Sequence, residues 1–375
     1  MGKAINVGIV GTQFMGRAHS NAYLDVGYYF DLDAPPVMKA ACDINKNDLD
    51  AFCKRYGWQT QETDWKKLIE RDDIDLVDIV TPNFLHKPVA VEAARKGKHI
   101  ICEKPMAMDA QEAREMRDAA REANVRNMLA FNYRRVPAVC LAKKLIEEGK
   151  LGTIYHFNAV YYQDWQIDPN VPYLWRHDKS KGGSGAHGDM NAHIVDLGRY
   201  LVGEISSVCC AQEVFVKERK KPDGTMGQVT ADDAAYFMAR FREGALGVFL
   251  ASRMACGRKN FLRFEIFGSQ GAINFNLERL NELEYYSLKD DPAVQGFRNL
   301  IVTEAVHPYI DMWWPPGHIL GWEHTFIHEV GDLIKAIEKG TDVQADFHDG
   351  MRCQQVIDAA IKSHDGGKWV DVPEE

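Results

Sequence analysis

Residues 4–16 read AINVGIVGTQFMG, and this stretch decides the fold. Ile5, Val7, Ile9 and Val10 form a short apolar run, the run breaks at Gly11, and MGRAHSNAYLDV continues with helix-like composition. Strand, glycine turn and helix in that order leave the unpaired N–H groups of a first helical turn at the end of a buried strand. Those donors and the helix dipole favour an anion, so the turn is a candidate phosphate site. The motif runs Gly11-Thr12-Gln13-Phe14-Met15-Gly16, a G-x-G-x-x-G with Gln13 in place of the middle glycine. A glycine turn alone says little; its meaning depends on the segments downstream of it.

Those segments alternate strand and helix. VMKAACD (37–43) is a second buried strand ending in an acid, and Asn45 caps a helix that Gly57 ends. IDLVDIVT (74–81) is a third strand, and Pro88 sits early in the next helix. HIICEK (99–104) and VRNMLAFN (125–132) are further strands, and Asp109 and Glu112 between them have capping-box spacing. This alternation predicts a parallel, doubly wound Rossmann-type sheet. Ligands of such sheets bind beyond the carboxyl ends of the strands, here Gly11–Gly16, Asp43, Thr81–His86, Glu103–Pro105 and Asn132–Arg134. Asp43 stands where the second strand of a dinucleotide fold presents an acid to the adenosine ribose, which favours NAD over NADP.

After a helix at about 136–149, period-two segments take over at 153–165, 205–218, 232–244, 245–256, 260–269 and 272–280. They predict a second α/β domain with a large, open, mostly antiparallel sheet, interrupted by a helix at about 189–201 and followed by helices near 323–339 and 349–363. The expected domains are 1–132, nucleotide-binding, and 133–375, for substrate and oligomerisation. An open sheet needs its second face covered, and a homodimer or homotetramer through that sheet would do so.

The 375 residues are too many for one ordinary core. Net charge is 45 minus 54, or −9, with no basic stripe, which argues against nucleic acid or an anionic membrane as partner. No apolar run approaches the roughly 20 residues that span a bilayer. Eight cysteines without a C-x-x-C pair read as reduced thiols, so the cytoplasm is the expected compartment.

Several motifs now stand in order: GIVGTQFMGRAH, TPNFLH (81–86), EKP (103–105), FNYRRVPA (131–138) and GDMNAHIVDLGRYLVG (188–203). Together they resemble the Gfo/Idh/MocA family, that of glucose–fructose oxidoreductase and inositol dehydrogenase, over essentially the whole chain. The resemblance implies a nicotinamide cofactor and hydride transfer at a carbinol carbon, with carbon 3 of a sugar the position that relatives suggest. It places Gly11, Thr12, Gln13, Phe14, Met15, Gly16, Asp43, Thr81, Pro82, Asn83, His86, Glu103, Lys104 and Asn132 on the cofactor. Gln13 departs from the family pattern, which has glycine there.

Lys104 ends a buried strand and is followed by Pro105, which admits a cis bond. It is either a snorkelling surface cation or, as the EKP resemblance implies, an active-site cation that favours a developing alkoxide. Asp189 and His193 are four apart on the expected helix and share a face. They are either a helix start and a satisfied core histidine, or, following the glycine-rich loop KGGSGAHG, a substrate-orienting acid and a catalytic base. Tyr133, Arg134, Trp175, Arg176 and His324 are candidate substrate contacts, each equally a packing residue. His324 and His328 lack H-E-x-x-H order and an obvious third ligand, so no metal is expected. Finally, AVHPYIDMWWPPGHILGWEH (305–324) is too aromatic for a solvated linker. It lines a sugar pocket or a subunit contact, and favours a cyclic substrate: a pyranose, glycoside or anhydrosugar ahead of an inositol or open-chain polyol. Tightly held NAD cycling internally, and a non-catalytic NAD-binding regulator, are the other functions these residues allow.

Overall fold

The structure is a computed structural model that describes residues 4–374. It divides into two compact units, each described by itself. The first comprises the chain up to Arg135 together with Gly321–Met351, and the second comprises Val136–Leu320 and the chain from Arg352 onward. The sequence division at 132/133 leaves 321–351 with the second domain, whereas the fold clusters it with the first. The reason is packing: the helix at 324–339 lays an apolar face against the helix that follows the glycine turn.

The first unit is built on six strands: β1 (Ile5–Val10), β2 (Pro36–Cys42), β3 (Thr60–Glu62), β4 (Leu76–Ile79), β5 (His99–Cys102) and β6 (Asn127–Leu129). Their order in the sheet is β3-β2-β1-β4-β5-β6, and each pair is parallel. This is the dinucleotide-binding order, with the switch point between β1 and β4. The helices are α1 (Phe14–Tyr29), α2 (Lys46–Tyr56), α3 (Trp65–Glu70), α4 (His86–Arg95) and α5 (Ala110–Glu122). Their caps follow the sequence: Asn45 accepts from the N–H of Asn47 and Asp48, Gly57 closes α2 in the left-handed region, and Asp109 accepts from the N–H of Glu112. Glu112 reaches back to the N–H of Met108 rather than Asp109, so the capping box is offset by one residue.

In the second unit α6 (Pro137–Glu147) leads into β7 (Ile154–Tyr162), and the short α7 (Lys179–Gly182) precedes α8 (Ala192–Leu201). Strands β8 (Ile205–Glu213), β9 (Glu218–Lys220), β10 (Met226–Gln228), β11 (Ala234–Phe241), β12 (Leu246–Ser252), β13 (Phe261–Gly268), β14 (Gly271–Asn276), β15 (Glu282–Ser287) and β16 (Arg298–Ile301) come next. Back in the first unit is α9 (His324–Lys339); α10 (Phe347–Gly366) then runs from the first unit's last residues into the second, and β17 (Val370–Asp371) ends the elements. The large sheet has nine strands in the order β16-β15-β14-β13-β7-β12-β11-β8-β17. It is antiparallel except where β7 lies parallel to β12, so it is mixed. The single strand expected over 205–218 stops at Glu213, and β9 pairs with β10 as a separate hairpin. Alternation works as the sequence predicts: Phe157, Phe237, Phe249, Phe264 and Phe275 are buried on one face, while Tyr236, Met238 and Leu246 are exposed on the other.

Candidate active site

The first unit presents an anion-binding turn. Gly11 has φ +111°, and a Cβ there would lie 2.6 Å from the carbonyl oxygen of Val80 just past β4, so only glycine fits this turn from β1 to α1. Gly16 is packed as tightly, with a hypothetical Cβ 2.5 Å from the Gly11 carbonyl oxygen. No side chain caps the first turn of α1. Gln13 is exposed and its Nε2 is 3.4 Å from Asp48 Oδ2 on α2, so its side chain turns aside and leaves the first-turn donors to a ligand. Thr12 donates its N–H and hydroxyl to Asp43 Oδ2, and Asn45 N–H donates to Oδ1. Phe14 stacks on Trp322 at 5.5 Å, and Met15 is half-buried beside it in sequence. The buried hydroxyl of Thr81 has no hydrogen-bond partner among the described residues, an orphan donor at the end of the β4 segment. These features fit a dinucleotide, whose pyrophosphate the first turn of α1 would take.

Pro82 and Asn83 open a short 3-10 turn, Asn83–Leu85, before α4. His86 is fully buried, with Nδ1 2.9 Å from the Pro105 carbonyl oxygen and Nε2 2.9 Å from that of Thr81. It clamps the two strand-end segments together, and burial lowers its pKa. Lys104 is half-buried and its bond to Pro105 is cis. Glu103 faces inward: one carboxylate oxygen meets His19 Nε2 and the other accepts the N–H of Lys104. Asn132 donates to the Thr325 hydroxyl at 2.9 Å. Tyr133 is buried, and Arg134 pairs with Asp349 at 2.8 Å, its guanidinium over Phe131. His324 Nδ1 accepts the N–H of Gly321, and burial lowers its pKa. His328 Nδ1 faces the Arg135 carbonyl, and burial pushes its pKa down to about 3. Residues 305–324, expected to line a sugar pocket or a subunit contact, fall partly in each unit, with the boundary after Leu320. Trp322 stacks on the glycine turn, while His307 and His318 bond within their own loop.

The second unit carries Asp189 and His193, the two residues expected to act as an acid and a base, on a different backbone from the helix expected at 189–201. His187–Asn191 is a π-helical turn, and α8 begins only at Ala192. The wider turn at 187–191 has a distant cause: Asp232 accepts the N–H of Gly185 at 2.6 Å and of His187 at 2.9 Å, and its carbonyl oxygen accepts that of Ala186. Gly185 permits this close approach, since a Cβ there would lie 1.8 Å from the Asp232 carbonyl oxygen. Among its neighbours 185–193, Asp189 alone is not fully buried. His193 is 5% exposed and its ring lies 5.8 Å from that of Tyr161, whose hydroxyl donates to Asn260. An acid with partial solvent access and an almost buried imidazole, four residues apart across a π-to-α junction, suit proton transfer at a bound hydroxyl.

Trp175 and Arg176 lie on the 3-10 turn Trp175–His177, with the Arg176 guanidinium over the Trp175 ring. That turn hangs on His177, which the sequence did not single out. Its Nδ1 accepts the Leu174 N–H and its Nε2 meets Gln166 Oε1. Burial first, then the cations of Arg253 and Arg219, push its pKa down to about 4. Asp232, His177 and His19 are the supporting residues that sequence reasoning misses. For His19 a signal existed in its partner Asp78, an acid inside the apolar run IDLVDIVT.

A dinucleotide turn on a parallel sheet, with an EKP segment and an acid–histidine pair elsewhere in the chain, defines a nicotinamide-dependent oxidoreductase. The family described as the oxidoreductase family with NAD-binding Rossmann fold matches residues 5–131, and the GFO/IDH/MocA C-terminal domain matches 139–274. The chain belongs to the Gfo/Idh/MocA family. A levoglucosan dehydrogenase from Pseudarthrobacter phenanthrenivorans is 42% identical over 99% of this chain and 98% of its own length. Among solved structures, an oxidoreductase domain protein from Kribbella flavida is 47% identical with a TM-score of 0.97, covering 100% of both chains. A levoglucosan dehydrogenase in complex with NADH and levoglucosan is 43% identical, also with a TM-score of 0.97 and 100% coverage of both. The chain is an NAD-dependent oxidoreductase acting on CH–OH groups. No helix among the described residues is long and apolar enough to cross a membrane.

Proposed function

We propose that the chain is a dehydrogenase of a cyclic sugar, with an anhydrosugar of the levoglucosan kind first among candidates and carbon 3 the oxidised position. The observation that carries this is the 42% identity to a levoglucosan dehydrogenase, over 99% of the chain, with Asp189 and His193 held on a built π-to-α junction. Bound NAD supplies the hydride acceptor. The α1 turn, Asp43 and Thr81 hold the cofactor, His193 takes the proton of the substrate hydroxyl, and Asp189 orients the sugar. Lys104 stabilises the negative charge that develops on the oxygen. A placed base contributes typically ~10²–10⁴-fold.

The exposed strip of Tyr236, Met238 and Leu246 supports a homodimer or homotetramer through the nine-stranded sheet, which light scattering measures. Eight free thiols suit the reducing cytoplasm.

The deciding experiment mixes the protein and NAD with levoglucosan, pyranoses, myo-inositol and open-chain polyols. It follows reduced-nicotinamide absorbance, and NMR of the product locates the new carbonyl. The expected result is fastest reduction with the anhydrosugar. Turnover with inositol or polyols alone overturns the substrate class. Sugar consumption without released NADH, with cofactor retained through purification by mass, indicates an internal redox cycle. Binding of NAD without consumption of any sugar indicates a regulator.

A further inference from the structure

Beneath the Glu103–Pro105 segment lies a cluster of buried charge. His19 on α1 is 1% exposed and Asp78 on β4 is 0% exposed. His19 Nδ1 is 2.9 and 3.1 Å from the two Asp78 oxygens, and its Nε2 is 3.2 Å from Glu103 Oε1. Both ring nitrogens therefore face carboxylates. A neutral imidazole would turn a lone pair on one of them, so this arrangement favours a proton on each nitrogen. Burial opposes that charge, yet the two acids hold the pKa well above its ordinary value. The other Glu103 oxygen accepts the Lys104 N–H at 3.0 Å. Hydrogen bonds thus run without a break from Asp78 through His19 and Glu103 to the lysine's own peptide. The buried Phe326 of α9 lies beside the cluster, its ring 5.4 Å from that of His19.

Buried ion clusters seldom add stability over apolar packing of the same volume, so this one calls for another use. Without His19, Glu103 would lose the partner that fixes its rotamer, and the Lys104 peptide would lose its fixed acceptor.

We propose that His19 is a positioning residue for the reaction, fixing through Glu103 the peptide from which the Lys104 side chain departs. The inference rests on Lys104 acting at the substrate hydroxyl.

The test is a set of coupled substitutions, with kcat and KM read for the sugar and the NADH Kd read by fluorescence. His19→Asn and Glu103→Gln are each expected to lower kcat by roughly 10–100-fold, as small misplacements of catalytic groups do. For His19→Asn, KM and Kd should move by less than about threefold. The double variant should be no worse than the poorer single, and His19→Asn should cost nothing further in a Lys104→Met background. His19→Gln, which keeps a donor toward Glu103, should recover part of the loss and replaces the asparagine variant if that one does not fold. Losses that multiply, or that persist undiminished in Lys104→Met, overturn the proposal while leaving the lysine's role intact. Wild-type kcat in Lys104→Met alone would remove the lysine's role, and the proposal with it.

Discussion

Thr12 gives both its backbone N–H and its hydroxyl to one oxygen of Asp43, at 3.1 and 2.6 Å, tying the glycine turn to the end of β2. The acid is thereby fixed where a Rossmann fold meets the adenosine ribose. A carboxylate accepts from a 2′-hydroxyl, a bond to a charged group worth ~1.5–3 kcal/mol, and repels a 2′-phosphate. Asp43→Ser is therefore expected to raise the NADP-to-NAD ratio of kcat/KM by on the order of 10²-fold. An unchanged ratio would remove Asp43 from cofactor selection. Thr12→Val should lower affinity for both cofactors alike.

His193→Asn keeps a polar side chain of similar reach but removes the imidazole proposed as the base. We expect kcat to fall by at least ~10²-fold, with the NADH Kd unchanged. Near-wild-type turnover would mean that the proton leaves by another route.

Asp232 pairs with two buried N–H groups of the turn that carries Asp189. Asn in its place has one acceptor, and its amide would point a donor at the second N–H. Asp232→Asn should cost roughly 2–3 kcal/mol by urea unfolding, in line with lost bonds to a charged acceptor. It should also lower kcat more than it raises KM. Unaltered stability would show that the π-helical turn holds without its distant cap.

The pH dependence of stability tests His177. Its pKa lies at about 4 in the fold against an ordinary 6.5, because burial and nearby arginines disfavour the charge. A basic group with a lowered folded value takes up protons first in the unfolded chain, so stability falls as pH drops from 6.5 toward 4. Between about pH 7 and pH 5 the loss is about 2 kcal/mol. His177→Gln should show a decline over this interval smaller by about that amount. Parallel slopes would mean that the imidazole titrates normally.

Trp314 is 50% exposed and Trp313 half-buried on the loop of the second unit. If they stack on the sugar, Trp313→Ala and Trp314→Ala raise KM for the cyclic substrate and leave the oligomer intact. Unchanged kinetics with dissociated subunits would assign the loop to an interface.

The Rossmann half was legible because its signals are local. Apolar runs such as Ile5–Val10 end in glycine, and Asn45 and Asp109 cap the helices that come after them. The second sheet was legible for the same reason, since β11 and β12 alternate buried and exposed residues. What stayed hidden depends on partners far away in sequence. The π-helical turn is set by an acid more than forty residues downstream, and no spacing within GDMNAH betrays it. His19 reads as one more helix residue until β4 and β5 bring two carboxylates to its ring. His307 and His318 each satisfy a backbone group of their own loop, pairings that the spacing in 305–324 does not show.

The return of Gly321–Met351 to the first unit sets a schedule for biosynthesis. The N–H of Leu129 on β6 donates to the carbonyl of Ala345, and Ala34, just past α1, is held by Glu338. A ribosome that has released the chain as far as Arg135 has therefore supplied all six strands but not α9, which covers α1. Until Met351 emerges, α1 keeps an apolar face bare, and Arg135 waits for Glu329 and Asp332. Domains commonly fold in the order in which they are made; here the first to begin is completed only after the bulk of the second has been synthesised.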